Sequence, residues 1–247
     1  QNTASGNYSA AYGVVSKAAG EGAFAAGYRA TATNKGSIAI GQYVNTEVGG
    51  TATNPTYADV TNGDNSTAVG SNSIASGENA SAFGYNNKVT GDNSTAVGTG
   101  NTIDGTQVAG AVAVGKNNKS SADRAISIGE ENTSKAADTI TMGDSNKSNT
   151  GGGIAIGKNN LADSTDEGTK TDGDRGVQNS QIAIGRDNKA THIDTVAVGR
   201  EVKSTGTGAV GLGSRINATG DYAVAIGNSS KGGTVEAADY AVAVGFK

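Results

Sequence analysis

Short apolar segments that end in glycine recur along the chain with a regular period of fourteen. The octapeptide GDNSTAVG, for example, occupies residues 63–70 and again residues 91–98, which are two such periods apart. Ten of the fourteen steps between successive glycines equal the bare period, and the other four exceed it by three, four, fourteen or fifteen positions. A fixed short period predicts a solenoid in which each repeat forms one coil. These glycines, called marker glycines below, are Gly13, Gly27, Gly41, Gly70, Gly84, Gly98, Gly115, Gly129, Gly143, Gly157, Gly185, Gly199, Gly213, Gly227 and Gly245.

The residues one and three positions before a marker glycine are mostly large and apolar, whereas the residue two positions before it is alanine in most repeats. This alternation, with its many β-branched residues, predicts a strand. Because both faces of the strand are apolar, both must be covered. We expect the large side chains to face the coil interior and the alanines to pack against another copy of the chain. The alanines predicted for this trimer interface are Ala68, Ala96, Ala113, Ala155, Ala183, Ala197, Ala225 and Ala243.

The second half of each repeat predicts a shorter strand with asparagine facing inward three positions after the marker glycine. Asparagines stacked in successive coils can hydrogen-bond one another and the turn backbone. Lysines at the next position should face outward, as should aspartates in the turn before the apolar strand. Such charges keep a long sheet soluble, but a lysine row could also bind an acidic or sulfated partner. The candidate ligand-binding lysines are Lys119, Lys147, Lys189 and Lys203.

Insertions break the period near residues 46–62, 104–110, 163–179 and 231–237, and repeat proteins often bind ligands through such insertions. We expect loops there, although each could equally be a tolerated excursion without a ligand. The acidic run after residue 163 could collect a hard cation, but its spacing does not match a calcium loop, so we predict no metal site. The candidate ligand-binding loop residues are Tyr57, Asp163, Asp166, Glu167, Asp172, Asp174 and Arg175.

The composition excludes several functions. A net charge of −4 argues against a nucleic-acid binder. With no cysteine and a single histidine, His192, the chain offers little for nucleophilic catalysis. The G-x-G-x-x-G sequence at residues 206–211 lies within a coil and lacks the helix that a dinucleotide site requires. We therefore predict no enzyme activity and no cofactor, and the lack of a long apolar run predicts no direct membrane insertion by this sequence.

Coils of the form N-S/T-x-A-V/I-G, as in residues 65–70 and 93–98, resemble the head of a trimeric autotransporter adhesin of the YadA type. The resemblance extends over essentially the whole chain. It implies an all-β, homotrimeric, left-handed parallel β-roll of about fifteen coils, each one period long. It also implies a virulence-associated protein of the bacterial cell surface, anchored in the outer membrane by regions outside this sequence. Its partners would be host receptors or extracellular-matrix proteins such as collagen, fibronectin, laminin or CEACAM-type receptors.

Three alternatives remain open at the level of sequence. A non-binding structural spacer of a surface fibre would share every feature except a ligand. A monomeric β-solenoid such as an ice-binding protein would carry regular outward threonine arrays, which the lysines here interrupt. A calcium-loaded roll attached to a secreted enzyme would carry aspartates at a period of nine instead of fourteen.

Overall fold

The protein folds into strands and turns that are stacked as coils. The computed structural model describes residues 1–42, 63–105, 108–163, 180–230 and 233–246. These residues contain no helix, and hence none with the length and apolar character needed to cross a membrane. The chain divides into two compact units, residues 1–124 and 125–247. Its strands confirm the predicted all-β parallel solenoid of about fifteen coils.

A typical coil consists of one five-residue strand and one strand of two or three residues, called the long and the short strand below. In the first unit the strands are β1 (Thr3–Ala4), β2 (Ala10–Val14), β3 (Lys17–Ala18), β4 (Phe24–Tyr28), β5 (Thr31–Ala32), β6 (Ile38–Gln42), β7 (Thr67–Ser71), β8 (Ile74–Ala75), β9 (Ser81–Tyr85), β10 (Lys88–Val89), β11 (Thr95–Thr99), β12 (Thr102–Ile103), β13 (Val112–Lys116) and β14 (Lys119–Ser120). In the second unit they are β15 (Ile126–Glu130), β16 (Thr133–Ser134), β17 (Ile140–Asp144), β18 (Lys147–Ser148), β19 (Ile154–Lys158), β20 (Leu161–Ala162), β21 (Ile182–Arg186), β22 (Lys189–Ala190), β23 (Val196–Arg200), β24 (Lys203–Ser204), β25 (Val210–Ser214), β26 (Ile216–Ala218), β27 (Val224–Asn228), β28 (Val235–Ala237) and β29 (Val242–Phe246).

Within each unit, long strands pair with long strands and short strands with short strands, always in parallel. Equivalent residues of successive coils lie side by side, so the marker glycine of β4 pairs with that of β6. Strands β19 and β21 keep this register, with Gly157 opposite Gly185, although these two glycines are two periods apart in the sequence. The insertion between them therefore does not shift the register of the strands.

The predicted orientation of the long strands is wrong, because their alanines point into the coil. In β21, Ala183 is 0% exposed, whereas Ile182 and Ile184 on either side face outward and are only partly buried. Among the alanines assigned to the trimer interface, Ala243 in the last coil is partly buried. The others are 0% exposed within a single chain: Ala68, Ala96, Ala113, Ala155, Ala183, Ala197 and Ala225. The alanines therefore pack within their own chain and cannot form the interface through their side chains.

The width of the coil explains this reversal. The inward residues of the long strand share the interior with the inward residues of the short strand, which are small in most coils, for example Ser148 and Ala162. Close packing in so thin a space admits alanine, serine and threonine and leaves no room for two opposed rows of isoleucine. The larger apolar side chains must therefore lie outside.

The marker glycines are needed because successive coils approach each other closely. Gly185 has a φ of 123°, in the left-handed region that favours glycine. A Cβ atom at this residue would lie 2.0 Å from the carbonyl oxygen of Gly199 in the next coil. That oxygen belongs to the backbone and cannot rotate away. The period of the sequence is thus set by a steric requirement at each coil.

Buried asparagines form the predicted hydrogen-bonded ladder within each unit. Asn146 is typical: its Nδ2 atom donates to the carbonyl of Met142 (3.0 Å), to that of Gly157 in the next coil (2.7 Å) and to Oδ1 of Asn132 (3.0 Å). These bonds satisfy polar groups that the closed coil hides from water. The members, all at most 1% exposed, are Asn87, Asn101 and Asn118 in the first unit and Asn132, Asn146, Asn160 and Asn188 in the second.

The described parts of two insertions contribute to the coils. Val108 is 6% exposed and packs in the core of the first unit, and its carbonyl accepts a hydrogen bond from the backbone of Asp92 (3.0 Å). Residues Val235–Ala237 form β28, which pairs with β26. These described residues therefore contribute to the coils. The other two predicted loops lie outside the described residues, residues 46–62 entirely and residues 163–179 except for Asp163.

Candidate interaction surfaces

The outer face of the long strands carries two rows of large apolar side chains. Several are more than one third exposed, including Ile38 and Val97 in the first unit and Met142 and Ile226 in the second. In the second unit the row three positions before the marker glycines consists of Ile126, Ile140, Ile154, Ile182, Val196, Val210, Val224 and Val242. The row one position before them consists of Ile128, Met142, Ile156, Ile184, Val198, Leu212, Ile226 and Val244. Apolar side chains gathered in rows, and not scattered singly, mark an interaction surface.

The outer face of the short strands is polar and includes the predicted lysine row. Lys189 is exposed, while its neighbours Asn188 and Ala190 are buried, which confirms the predicted alternation. Lys119, Lys147 and Lys203 are likewise exposed. Lys189 and Lys203 are direct register partners on β22 and β24, so two ammonium groups extend from strands that lie about 4.8 Å apart.

The lysines of the two units differ in their ionic partners. In the first unit, Nζ of Lys119 lies 3.4 Å from Oδ1 of Asp104, and Nζ of Lys88 lies 3.9 Å from Oδ2 of the same carboxylate. One aspartate thus partly neutralises two lysines. In the described part of the second unit, no carboxylate forms an ion pair with the equivalent lysines, which are Lys147, Lys189 and Lys203.

The corner that leads from a long strand to the next short strand carries paired charges. Nζ of Lys158 lies 2.9 Å from Oδ2 of Asp144, and the hydroxyl of Ser145 donates to Oδ1 of Asp144 (2.6 Å). The Ser145 hydrogen bond, followed by Lys158, lowers the pKa of Asp144, and Asp144 in turn raises the pKa of Lys158. Both side chains are well exposed, so this pair contributes little to stability.

Arginines extend the same corner toward the end of the second unit. Nε of Arg186 lies 3.5 Å from Oδ2 of Asp187. Glu201 contacts two guanidinium groups, with its Oε1 atom 3.9 Å from Nε of Arg200 and its Oε2 atom 3.2 Å from Nε of Arg215. Three arginines therefore share two carboxylates, and this part of the corner, residues 186–215, retains a positive charge.

One of the predicted loop residues lies in the described part of the chain. Asp163 follows β20, and its Oδ2 atom accepts a hydrogen bond from Nδ2 of Asn149 (3.0 Å). Among the described residues, no group of three or more histidine, aspartate or glutamate side chains is placed to hold a metal ion. The other candidates lie outside the described residues: Tyr57, Asp166, Glu167, Asp172, Asp174 and Arg175.

The two motifs that could have indicated catalysis belong to ordinary coils. His192 is partly buried, and its backbone carbonyl accepts hydrogen bonds from Nε2 of Gln181 (3.1 Å) and from the hydroxyl of Thr195 (2.9 Å). Its Nδ1 atom is buried without a hydrogen-bond partner. The glycine-rich stretch 206–211 runs into strand β25 and not into a helix. Neither arrangement resembles a catalytic or dinucleotide site.

The turn aspartates have a structural function that the sequence analysis missed. Oδ1 of Asp92 accepts a hydrogen bond from the backbone nitrogen of Glu78 in the preceding coil (2.8 Å). Oδ1 of Asp221 accepts one from Thr207 in the same way (2.9 Å). These carboxylates thus tie each turn to the one before it. The preference of aspartate for hydrogen bonds to nearby turn backbone was the available signal.

The coil geometry agrees with one protein family. The chain matches the family described as the YadA head domain repeat over rather more than half of its length, at residues 18–43, 60–73, 75–101, 109–130, 182–201 and 204–230. The chain belongs to this family. A comparison with curated proteins found no match. Strands β17 and β19 lie outside the matched segments but form the same coils, so the repeat continues between the matches.

Membership of the YadA head family gives the surfaces a context. Heads of this family are adhesin-type structural domains of surface proteins. Such domains bind through their outer surface, which in this chain carries the apolar rows on the long strands and the lysines on the short strands.

Proposed function

We propose that this chain is the non-enzymatic head of a trimeric surface adhesin that attaches a bacterium to host cells or extracellular matrix. The observation that carries the proposal is the pair of apolar rows on the outer face of the long strands. Contact with water is unfavourable for rows of half-exposed isoleucine and valine, and burial against the same rows of other copies would lower the free energy. Three copies of the chain packed through these rows would leave the short strands at the surface.

The assembled trimer suits attachment for a general reason. Three tethered copies of a weak binding surface act together, because a first contact raises the effective concentration of the second and third. The proposed partners are host receptors or matrix proteins, namely collagen, fibronectin, laminin or CEACAM-type receptors. The proposed location is the bacterial cell surface, with the outer-membrane anchor supplied by sequence outside residues 1–247. Membership of the YadA head family supports each of these points.

The mass of the chain in solution tests the assembly. We expect three times the chain mass of 24.2 kDa by size-exclusion chromatography with light scattering. The double variant Ile182→Asp with Ile184→Asp should reduce the mass to that of one chain while the β-type circular dichroism persists, because both side chains face outward. Leu161→Asp, which places a charge on the outer face of a short strand, should leave the trimer intact.

A wild-type mass equal to that of one chain would contradict the trimer. Attachment is tested separately by measuring binding of the trimer to each of the four proposed classes of partner. The alternative function, a structural spacer, predicts a trimer that binds none of them. Deleting residues 163–176 asks whether that insertion contributes, since the loop proposal predicts weaker attachment and the spacer predicts no change.

A further inference from the structure

We propose that the second unit carries a binding surface for a sulfated polysaccharide. The surface, called the basic surface below, is formed by Lys147, Lys189 and Lys203 on the short strands and by Arg186, Arg200 and Arg215 at the adjoining corner. This inference deepens the proposed function by naming a ligand class. It relies on the trimer only for the gain in affinity that three copies provide.

Among the described residues, the three lysines have no ionic partners. Lys189 and Lys203 are register partners on adjacent strands, so their like charges are held close together. Like charges on neighbouring strands repel each other. In the first unit, Lys88 and Lys119 lie on either side of Thr102, and both form an ion pair with Asp104. Asp163 holds the equivalent position in the second unit, but it accepts a hydrogen bond from Asn149 and forms no ion pair with a lysine of the described part. An external anion would therefore relieve a repulsion that the described residues leave in place.

The basic surface lies in a part of the chain that has an excess of positive charge. Residues 186–215 contain five basic residues, Arg186, Lys189, Arg200, Lys203 and Arg215, and three acidic ones, Asp187, Asp194 and Glu201, which gives a net charge of +2. The whole chain carries −4. Asp194 lies in the turn before β23, at the opposite end of the long strand from the arginines. Without Asp194, the short-strand lysines and the corner arginines of residues 186–215 amount to five cations beside two anions, a charge that complements a polyanion.

The lysines of the basic surface are arranged in a line. The lysines follow one another along the row of short strands from β18 to β24, with Leu161 of β20 between Lys147 and Lys189. Strand spacing places Lys189 and Lys203 about 4.8 Å apart and Lys147 about twice as far from Lys189, so the row can follow an extended anionic chain over several of its charged groups. A small isolated anion would contact only one or two of these lysines.

The chemistry of the row favours a sulfated glycan over a nucleic acid. Proteins that bind single-stranded nucleic acids interleave basic residues with aromatic side chains on which bases stack. The outward row of the second unit contains no aromatic residue among those described: it consists of Thr133, Lys147, Leu161, Lys189, Lys203, Asn217 and Glu236. Ammonium groups, as compact point charges, suit sulfate groups without stacking.

The experiment measures binding of the purified chain to immobilised heparin by biolayer interferometry. We expect the variant Lys147→Gln, Lys189→Gln, Lys203→Gln to bind at least tenfold more weakly than wild type. The matched control is Lys88→Gln with Lys119→Gln, which removes lysines at equivalent repeat positions of the first unit that Asp104 partly neutralises, and it should change the affinity less than about twofold. Chemically desulfated heparin should bind more weakly than heparin, and raising the salt concentration should weaken binding of the wild type. Circular dichroism and mass should be unchanged in both variants.

Several outcomes would overturn the inference. They are equal affinity of the triple variant and wild type, an equal loss in the control variant, equal binding of desulfated heparin, and binding of single-stranded DNA as tight as that of heparin. The result is independent of the trimer test. A monomeric chain that binds heparin through these lysines would refute the proposed trimer and support the basic surface. A trimer that does not bind heparin would support the proposed trimer and refute the basic surface.

Discussion

The two faces of a long strand differ in the size and the burial of their side chains. In β21 the inward Ala183 is fully buried in its own coil, while the outward Ile182 and Ile184 are larger and only partly buried. In an ordinary sheet the larger side chains would form the core. Here the size of the inner side chains is limited by the space between two closely apposed strands. The size of the outer side chains is limited only by what packs against them. Inner positions should therefore determine folding, and outer positions should determine association and binding.

The largest effect is expected at an inner marker glycine. Gly185→Ala places a Cβ atom 2.0 Å from the carbonyl oxygen of Gly199, in a backbone conformation that alanine disfavours. Because the clash is with backbone, the loss of stability should exceed the roughly 1–3 kcal/mol that is typical of overpacking. Chemical denaturation followed by circular dichroism measures it.

Gly22→Asn provides the control for this substitution. Gly22 also has a positive φ, of 67°, but a Cβ atom there would have no neighbour within 4 Å. Asparagine occupies the equivalent position in other coils, for example Asn79 with a φ of 53°. The control should change stability little. An equal loss in both variants would show that φ alone, and not the approach of the next coil, requires the marker glycine.

A smaller loss is expected when the inner alanines are enlarged. Ala183→Leu and Ala197→Leu each introduce a much larger side chain into a closed interior, and each should cost about 1–3 kcal/mol of the free energy of unfolding. Ile184→Leu, an exchange of equal size on the outer side of the same strand, should cost less than about 1.5 kcal/mol. If the alanine variants kept their stability but lost the trimer, the orientation derived from burial would be incorrect.

Much of the fold could be predicted from sequence. The period identified the coils, the position of asparagine identified the ladder, and alternation placed Lys189 outside between Asn188 and Ala190. Alternation alone cannot say which face of a two-sided apolar strand is inside, because it fixes only that alternate residues face opposite ways. The missing information was the width of the coil. The small inward residues of the short strands, such as Ala190, were the signal for it.

The candidate surface was less predictable than the fold. Sequence placed Lys119 in the same row as Lys189 and Lys203 but could not distinguish them. The difference depends on what one aspartate contacts. Asp104 follows β12 and pairs with Lys119, whereas Asp163, at the same position after β20, accepts a hydrogen bond from Asn149. A regular period places both aspartates alike and does not determine which side chain each of them contacts.

The smallest effect is expected at the outer ion pair of Asp144 and Lys158. The pKa of Asp144 is lowered, so its contribution to stability is present above the ordinary pKa of aspartate and is lost as the pH falls through its lower value in the folded chain. The pKa of Lys158 is raised, so its contribution is present below the ordinary lysine pKa and is lost as the pH rises through the raised value. Asp144→Asn should therefore lower the unfolding midpoint slightly at neutral pH and not at all in strong acid, as measured by thermal unfolding across pH. A loss at neutral pH as large as that of the alanine variants would show that an exposed outer pair governs folding, contrary to the division between the inner and outer sides of the strand.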